Sequence, residues 1–266
     1  MTANRLTVLI SLAVTSLAGL TIPASAAIVL GTAGDFAVLA GSTVTNTGST
    51  VILGGSVGVS PGTAITGFPP GLVTPPYTIQ PGNILTAQQA HTDLITAYNS
   101  AKFLGGAVDK TGQNLGGMIL TAGTYSFSSS AALTGTLTLD AQGNPNAQFV
   151  FQIGTTLTTS SSSTVTTINL GGSTTPGHNV FWQVGSSATL GTSSAFQGHI
   201  LADQSITLTT GATILNGSAL AVNGAVTLDT NRINAIPEPT TLSLTLLGGA
   251  LLLIRRTPRS HRGRQA

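Results

Sequence analysis

Short stretches along most of this chain alternate aliphatic residues with Thr, Ser or Gln, and Gly, Asn and Ser punctuate them. Leu137 and Leu139 alternate with Thr136 and Thr138; Ile206 and Leu208 alternate with Ser205, Thr207 and Thr209; Val226 and Leu228 flank Thr227. A period of two predicts strands that bury aliphatics on one side and show hydroxyls on the other. One segment has a different period. Between Ile84 and Phe103, the residues Ala87, Ala90, Leu94, Ala97, Tyr98 and Ala101 recur at three- and four-residue spacing, which predicts a single helix at about 84–103. Gly105-Gly106 would end it, and Pro75, Pro76 and Pro81 keep its approach non-helical.

The strands also repeat. Phe149-Val150-Phe151-Gln152-Ile153-Gly154-Thr155-Thr156-Leu157-Thr158 aligns with Val180-Phe181-Trp182-Gln183-Val184-Gly185-Ser186-Ser187-Ala188-Thr189. ILADQSITL (200–208) aligns with LAVNGAVTL (220–228), twenty residues on. A repeat of that length with three short strands is one coil of a β-solenoid, in which each unit buries its apolar face only by stacking on the next. A β-sandwich also has regular short strands, but the repeat favours the solenoid.

The two ends stand apart from this body. Arg5, the uncharged run Leu6 to Ile22 and then Pro23-Ala24-Ser25-Ala26 have the layout of a secretory signal, which would occupy residues 1–26. At the other end Pro237-Glu238-Pro239 precedes an uncharged apolar segment that stops at Arg255-Arg256. That order resembles the PEP-CTERM sorting signal of Gram-negative bacteria. The resemblance implies a short transmembrane helix within 237–266, processing by an exosortase, and display or release at the cell surface. A plain membrane anchor would also leave the large domain extracytoplasmic, because the basic end stays inside. The folded domain is expected at 27–236.

Charge narrows the function further. Charged residues are 6 % of the 266, against about 25 % in an ordinary soluble domain. The basic pI is misleading, because Arg255, Arg256, Arg259, Arg262 and Arg264 lie in the tail and Arg5 in the leader. Residues 27–236 keep Lys102, Lys110 and Arg232 against Asp35, Asp93, Asp109, Asp140, Asp203 and Asp229. There is no basic stripe for nucleic acid. Cysteine is absent, which excludes disulfides, thiolate metal sites and cysteine nucleophiles. His91, His178 and His199 are each isolated, the six carboxylates form no acid–base pair or calcium loop, and Asn216-Gly217-Ser218 is a glycosylation sequon in letters only. We therefore expect no enzyme, no metal site and no cofactor.

LGTAGDFAVLAGSTVTNTG (30–48), VGVSPG (57–62), LTGTLTLDAQGNPNAQFVFQIGTTLTT (133–159) and NVFWQVGSSATLGTSSAFQGHILADQSITL (179–208) resemble the ice-binding-like family of secreted microbial proteins over roughly residues 28–233. The resemblance implies a discontinuous right-handed β-solenoid of triangular cross-section, with one long α-helix packed alongside. It also implies adsorption to an ice surface through a flat Thr/Ser-rich face.

The residues fit that expectation through threonine. Thr-Leu-x-Thr occurs at 156–159, 189–192, 207–210 and 227–230. With each leucine inward, Thr156, Thr189, Thr207 and Thr227 are expected in one outward row, and Thr192, Thr210 and Thr230 in a second. β-Branched Thr is stiff about χ1, so such a row is a fixed array of methyls and hydroxyls that can order water into an ice lattice. The family's Thr-Ala/Gly-x-Thr/Asn motif fits at Thr210-Gly211-Ala212-Thr213 and is degraded at Thr192-Ser193-Ser194-Ala195 and Ser160–Ser163. Thr is equally a good exposed strand residue in any sheet. A surface-displayed structural or adhesive matrix protein that contacts exopolysaccharide or another cell is the alternative on the same scaffold.

Overall fold

The structure, a computed structural model, describes residues 27–173, 177 and 179–236. The expected signal peptide and the sorting motif, with Pro237, Glu238, Pro239, Arg255 and Arg256, lie outside the described residues, as does His178.

Most turns of the chain lay down three short strands, one in each of three sheets that we call A, B and C. In one coil these are Phe149–Ile153 (A), Leu157–Thr159 (B) and Thr164–Ile168 (C). The next coil supplies Val180–Val184, Ala188–Leu190 and Ala195–Gln197. Successive coils pair parallel, with Phe149 opposite Val180, Leu157 opposite Ala188 and Thr164 opposite Ala195. Among the described residues sheets A, B and C hold nine, seven and eight strands. Parallel pairing in all three sheets excludes the antiparallel sandwich and makes the chain a β-solenoid.

The order of coils in the stack is not their order in the chain. The first coil, Phe36–Ala40, Thr43–Thr47 and Val51–Leu53, lies on the last, Ala219–Ala221, Val226–Asp229 and Arg232–Asn234. Val38 pairs with Ala219, Val44 with Val226, and Val51 with Arg232. The next coil, beginning at Ser56–Val59, continues outward, and Ile79–Gln80 then forms one edge of sheet A. The opposite edge is Val108–Asp109. The chain must cross the whole stack between these edge strands, and the helix Leu85–Lys102 spans the interval. Its 18 residues run about 27 Å, against about 38 Å for nine strands at ~4.8 Å spacing.

The helix lies on sheet A. Its buried stripe is Ala87, Ala90, Leu94, Ala97, Tyr98 and Ala101, which pack on Leu39, Val150, Phe181, Leu201 and Leu220 from successive coils. Small alanines allow close approach to the sheet, and polar ties fix the position. Thr32 N–H donates to Asp93 (2.8 Å), His91 Nε2 meets the Val222 carbonyl (2.8 Å), and Gln183 donates to the Tyr98 hydroxyl (3.0 Å). Gln152 Nε2 donates to the carbonyls of Ala101 (2.8 Å) and Leu104 (2.7 Å), satisfying acceptors that a helix end otherwise leaves open.

The repeat alignment at 200–228 needs one correction. It sets Ile200 against Leu220, whereas the structure pairs Leu201 with Leu220 and Ile200 with Ala219. Ile206 opposite Val226 is as aligned. The turn from sheet A to B is one residue longer in the later coil, residues 222–225 against 203–205. A one-residue slip exchanges the faces of a strand. In the true register Leu201 and Leu220 both face the helix while Ile200 fills the interior.

Inside the stack, apolar residues from all three sheets form a continuous core. Phe151 and Trp182, opposite each other in sheet A, stack with ring centroids 3.9 Å apart and planes 8° from parallel. Phe196 leans on Trp182 from sheet C at 4.8 Å, and the indole N–H donates to the Gln197 carbonyl at 3.0 Å. Trp182→Ala would leave a large void among residues fixed by backbone pairing, and we expect a loss of about 3–5 kcal/mol. Denaturant unfolding followed by circular dichroism checks this.

Candidate functional site

The three outer surfaces differ. Sheet A is covered by the helix. Sheet C carries a mixed file, in register Thr136, Thr164, Ala195, Thr213, Arg232, Val51 and Leu72. Its members vary in size and include a cation and three aliphatics. Sheet B carries one residue type over six successive rungs: Thr66, Thr45, Thr227, Thr207, Thr189 and Thr158 follow one another in successive coils. At ~4.8 Å per rung the file extends about 24 Å. The inward positions beside it are Val44, Leu157, Ala188, Ile206 and Val226, all buried, so the alternation is clean. Among the described strands of sheet B the charged residue is Asp229, at the last position before the turn to sheet C.

Thr189, Thr207 and Thr227 stand in one row as expected. Thr156 does not join them. The pattern Thr-Leu-x-Thr treats Leu157 and Leu190 as equivalent, but Leu157 lies opposite Ala188, so Thr158 takes the rung beside Thr189. Thr156 stands to one side, on the backbone ladder through Ser187 and Ser205. Thr159 turns inward, and its Oγ1 accepts the Gly191 N–H at 2.8 Å. The aligned pairs Phe149/Val180 to Thr158/Thr189 already carried the true register. Thr45 and Thr66 were missed because the first coils join the file across the discontinuity. The alternation Thr43-Val44-Thr45, similar to Val226-Thr227-Leu228, was the available signal.

Thr192, Thr210 and Thr213 leave this face at the turn from B to C. Thr192 and Thr210 are exposed at the turn, and Thr213 begins a strand of sheet C, with its hydroxyl on the Ser194 carbonyl at 3.3 Å. Thr210-Gly211-Ala212-Thr213 therefore straddles an edge. Gly211 has φ +72°, as Ser193 and Ser162 have φ +57° at the same turn of earlier coils, and Ala212 is buried. Left-handed backbone suits Gly best, so here the motif describes a corner rather than a flat surface.

The corner is closed by hydroxyls. The Asp229 carboxylate accepts from Thr210 Oγ1 and from Thr230 Oγ1 (3.1 Å), while Thr209 Oγ1 donates to the Leu190 carbonyl at 2.7 Å. Bonds from Thr210, then from Thr230, hold the Asp229 carboxyl below its ordinary range, against a smaller opposing effect of desolvation. Beneath them buried Asn231 donates to the carbonyls of Thr209 (2.8 Å) and Ala212 (3.0 Å).

His91 is tied to a backbone carbonyl and His199 Nδ1 to the Ser218 hydroxyl at 2.8 Å. Among the described residues no three His, Cys, Asp or Glu side chains gather to hold a metal, and no helix is long and apolar enough to cross a membrane.

A family profile described as Ice-binding-like matches residues 38–234. A protein named Ice-binding protein from Nostoc sp. (strain HG1) is 51 % identical over 238 residues, covering 84 % of this chain and 83 % of that one. The crystal structure of an ice-binding protein from the Antarctic ascomycete Antarctomyces psychrotrophicus superposes with a TM-score of 0.73 at 43 % identity, covering 80 % of this chain and all of that chain. An ice-binding protein from an Antarctic biological consortium gives a TM-score of 0.72 at 46 % identity, covering 78 % and 91 %. These relatives lend the adhesive or matrix alternative no support.

The Asp229 corner has a pH signature. Because the folded carboxyl titrates below the unfolded value of about 3.9, its stabilisation is present above that value and is lost as pH falls through the lower folded one. Melting temperatures measured from neutral pH into strong acid should therefore fall for the parent. Asp229→Asn should melt lower at neutral pH and lose less on acidification.

Proposed function

Since the chain belongs to the ice-binding-like family, we propose that it is a non-enzymatic protein that adsorbs to ice through the outer surface of sheet B. The observation that carries this is the file of six threonines in unbroken parallel register, on a sheet left uncovered by the helix whose described strands carry one charge, Asp229 at the border. Ice is a periodic ligand, and a periodic, rigid and nearly uncharged array suits it. Each hydroxyl holds one water weakly. Many such waters, held at fixed spacing by a backbone that need not reorganise, together match a lattice with little ordering cost. The methyls between them leave the adjoining water no competing polar partner. A charged side chain would orient its own hydration shell and break the match, which is why a face without Lys, Arg or Glu serves better than sheet C with Arg232.

Several finer features belong to the same proposal. The solenoid is right-handed, as parallel crossover connections overwhelmingly are, and three sheets around one core give it a triangular section with a flat B face. The protein works outside the cytoplasm of a Gram-negative bacterium. The signal-like residues 1–26 and the tail with Pro237, Glu238, Pro239, Arg255 and Arg256 support export and a transient, exosortase-processed membrane anchor.

The test is ice recrystallisation inhibition and thermal hysteresis of the purified protein beside Thr207→Tyr. Thr207 is central in the file and half-buried between its neighbours, so a bulky ring there lifts the face off a flat lattice without entering the core. We expect activity in the parent and a severe loss in the variant at unchanged circular dichroism. A folded parent that leaves ice growth unaltered at high concentration would rule the proposal out.

A further inference from the structure

The hydroxyls of sheet B are not equally available, and that difference divides the face. In the central file the hydroxyls of Thr66, Thr158, Thr189 and Thr207 have no partner among the described residues, and Thr45 reaches Thr227 only at 3.5 Å, a marginal distance. Each hydroxyl can donate once and accept twice, so this file keeps nearly all of its capacity for water. The flanks do not. Toward sheet C, Thr209 Oγ1 donates to the Leu190 carbonyl (2.7 Å), Thr47 Oγ1 to the Leu228 carbonyl (3.3 Å), and Thr134 pairs with Ser160 (2.9 Å). Toward sheet A, Ser187 Oγ accepts the Ser205 N–H (3.3 Å) and Ser205 Oγ accepts the Ala225 N–H (3.2 Å). Most flanking oxygens, those of Thr43 and Thr156 excepted, thus bind one coil to the next, while the central ones face outward unengaged.

The file also has a definite end. Beyond Thr158 the next rung in register is Ala132, which is exposed and points outward between buried Ala131 and Leu133. One rung further, Asn114 bridges to Ala132. Resting on the ice-binding reading above, we infer that the central file alone holds lattice water, through its hydroxyls rather than its methyls, and that Ala132 sets the length of the array. The flanking threonines and serines are positioning residues that keep the coils in register.

Four variants of the protein separate these roles, with thermal hysteresis at equal concentration and melting temperature measured on each. Thr207→Val and Thr189→Val keep the branched shape and remove only the hydroxyl. Both should lose hysteresis several-fold with no fall in melting temperature. Thr209→Val removes an internally bonded hydroxyl and should do the reverse, melting lower with hysteresis retained. Ala132→Thr adds a seventh rung and should raise hysteresis above the parent, a gain that no folding defect can imitate. Valine at 207 and 189 as active as threonine would overturn the hydroxyl assignment. Loss of hysteresis in Thr209→Val at unchanged melting temperature would overturn the restriction to the central file. An Ala132→Thr protein no more active than the parent would overturn the role of Ala132. A parent without hysteresis fails the ice-binding reading itself, which distinguishes that failure from the three above.

Discussion

Backbone N–H and C=O groups of each coil bond to the coils above and below it, and this parallel ladder fixes a rise of ~4.8 Å for every side chain at a given register. The interior and the surface both follow from that one spacing. Inside, it brings Phe151 and Trp182 to 3.9 Å between centroids, a stacking distance the side chains could not choose freely. Outside, it converts a run of threonines scattered between positions 45 and 227 into a straight row. A protein without cysteine has no covalent staple to hold such a row still. Here the stiffness comes from strands bonded on both edges and from turn side chains such as Asn231, whose amide ties the Thr209 and Ala212 carbonyls together.

A stack of coils has two ends, and the helix and the discontinuity follow from how the chain reaches both. It begins mid-stack, builds to the edge at Ile79–Gln80, returns along sheet A as the helix and starts again at Val108–Asp109. That return path buries the central part of sheet A's outer surface under alanines and Leu94. It also closes the stack, because the last coil finds its partner in the first. The threonine file is continuous only because of this closure: Thr45 and Thr66 come from the opening coils and Thr227 from the closing one. Helix and candidate site are therefore two consequences of one topology, on different sheets.

Much of this was legible in the sequence where a local period decides the outcome. The helical stripe from Ala87 to Ala101 is the buried face of the helix residue for residue, and the aligned pair 149–158 and 180–189 gives the true register in sheets A and B. What a local pattern could not supply was any relation set by the turns. A single additional residue at 222–225 moved Leu220 opposite Leu201, and motif matching on Thr-Leu-x-Thr chose Thr156 over Thr158. Thr213 looked like a member of the face because its motif is contiguous in sequence, yet the left-handed turn at Gly211 carries it onto sheet C. Thr45 and Thr66 were hidden for a different reason: nothing local tells a strand that its neighbour lies some 180 residues away, although Thr45 pairs with Thr227.

The contrast between sheets B and C shows how differently two outer faces of one stack can be surfaced. Both are outer faces of the same stack, with the same rise and the same kind of inward aliphatics. On sheet C the file that begins with Thr136 and Thr164 is interrupted by Ala195, Val51 and Leu72 and by one charged rung, Arg232 between Thr213 and Val51. A guanidinium is long, charged and strongly directional toward water, so it stands out of the surface and imposes its own hydration. On sheet B the corresponding charge, Asp229, is placed at the turn and drawn onto Thr210 and Thr230, which keeps its oxygens on the border rather than over the face. Excluding charge from a solvent-exposed sheet is normally a hazard, since bare β surfaces invite association. Threonine reduces the hazard by supplying a hydroxyl at six successive rungs, and in the proposed function the same hydroxyls hold water in order.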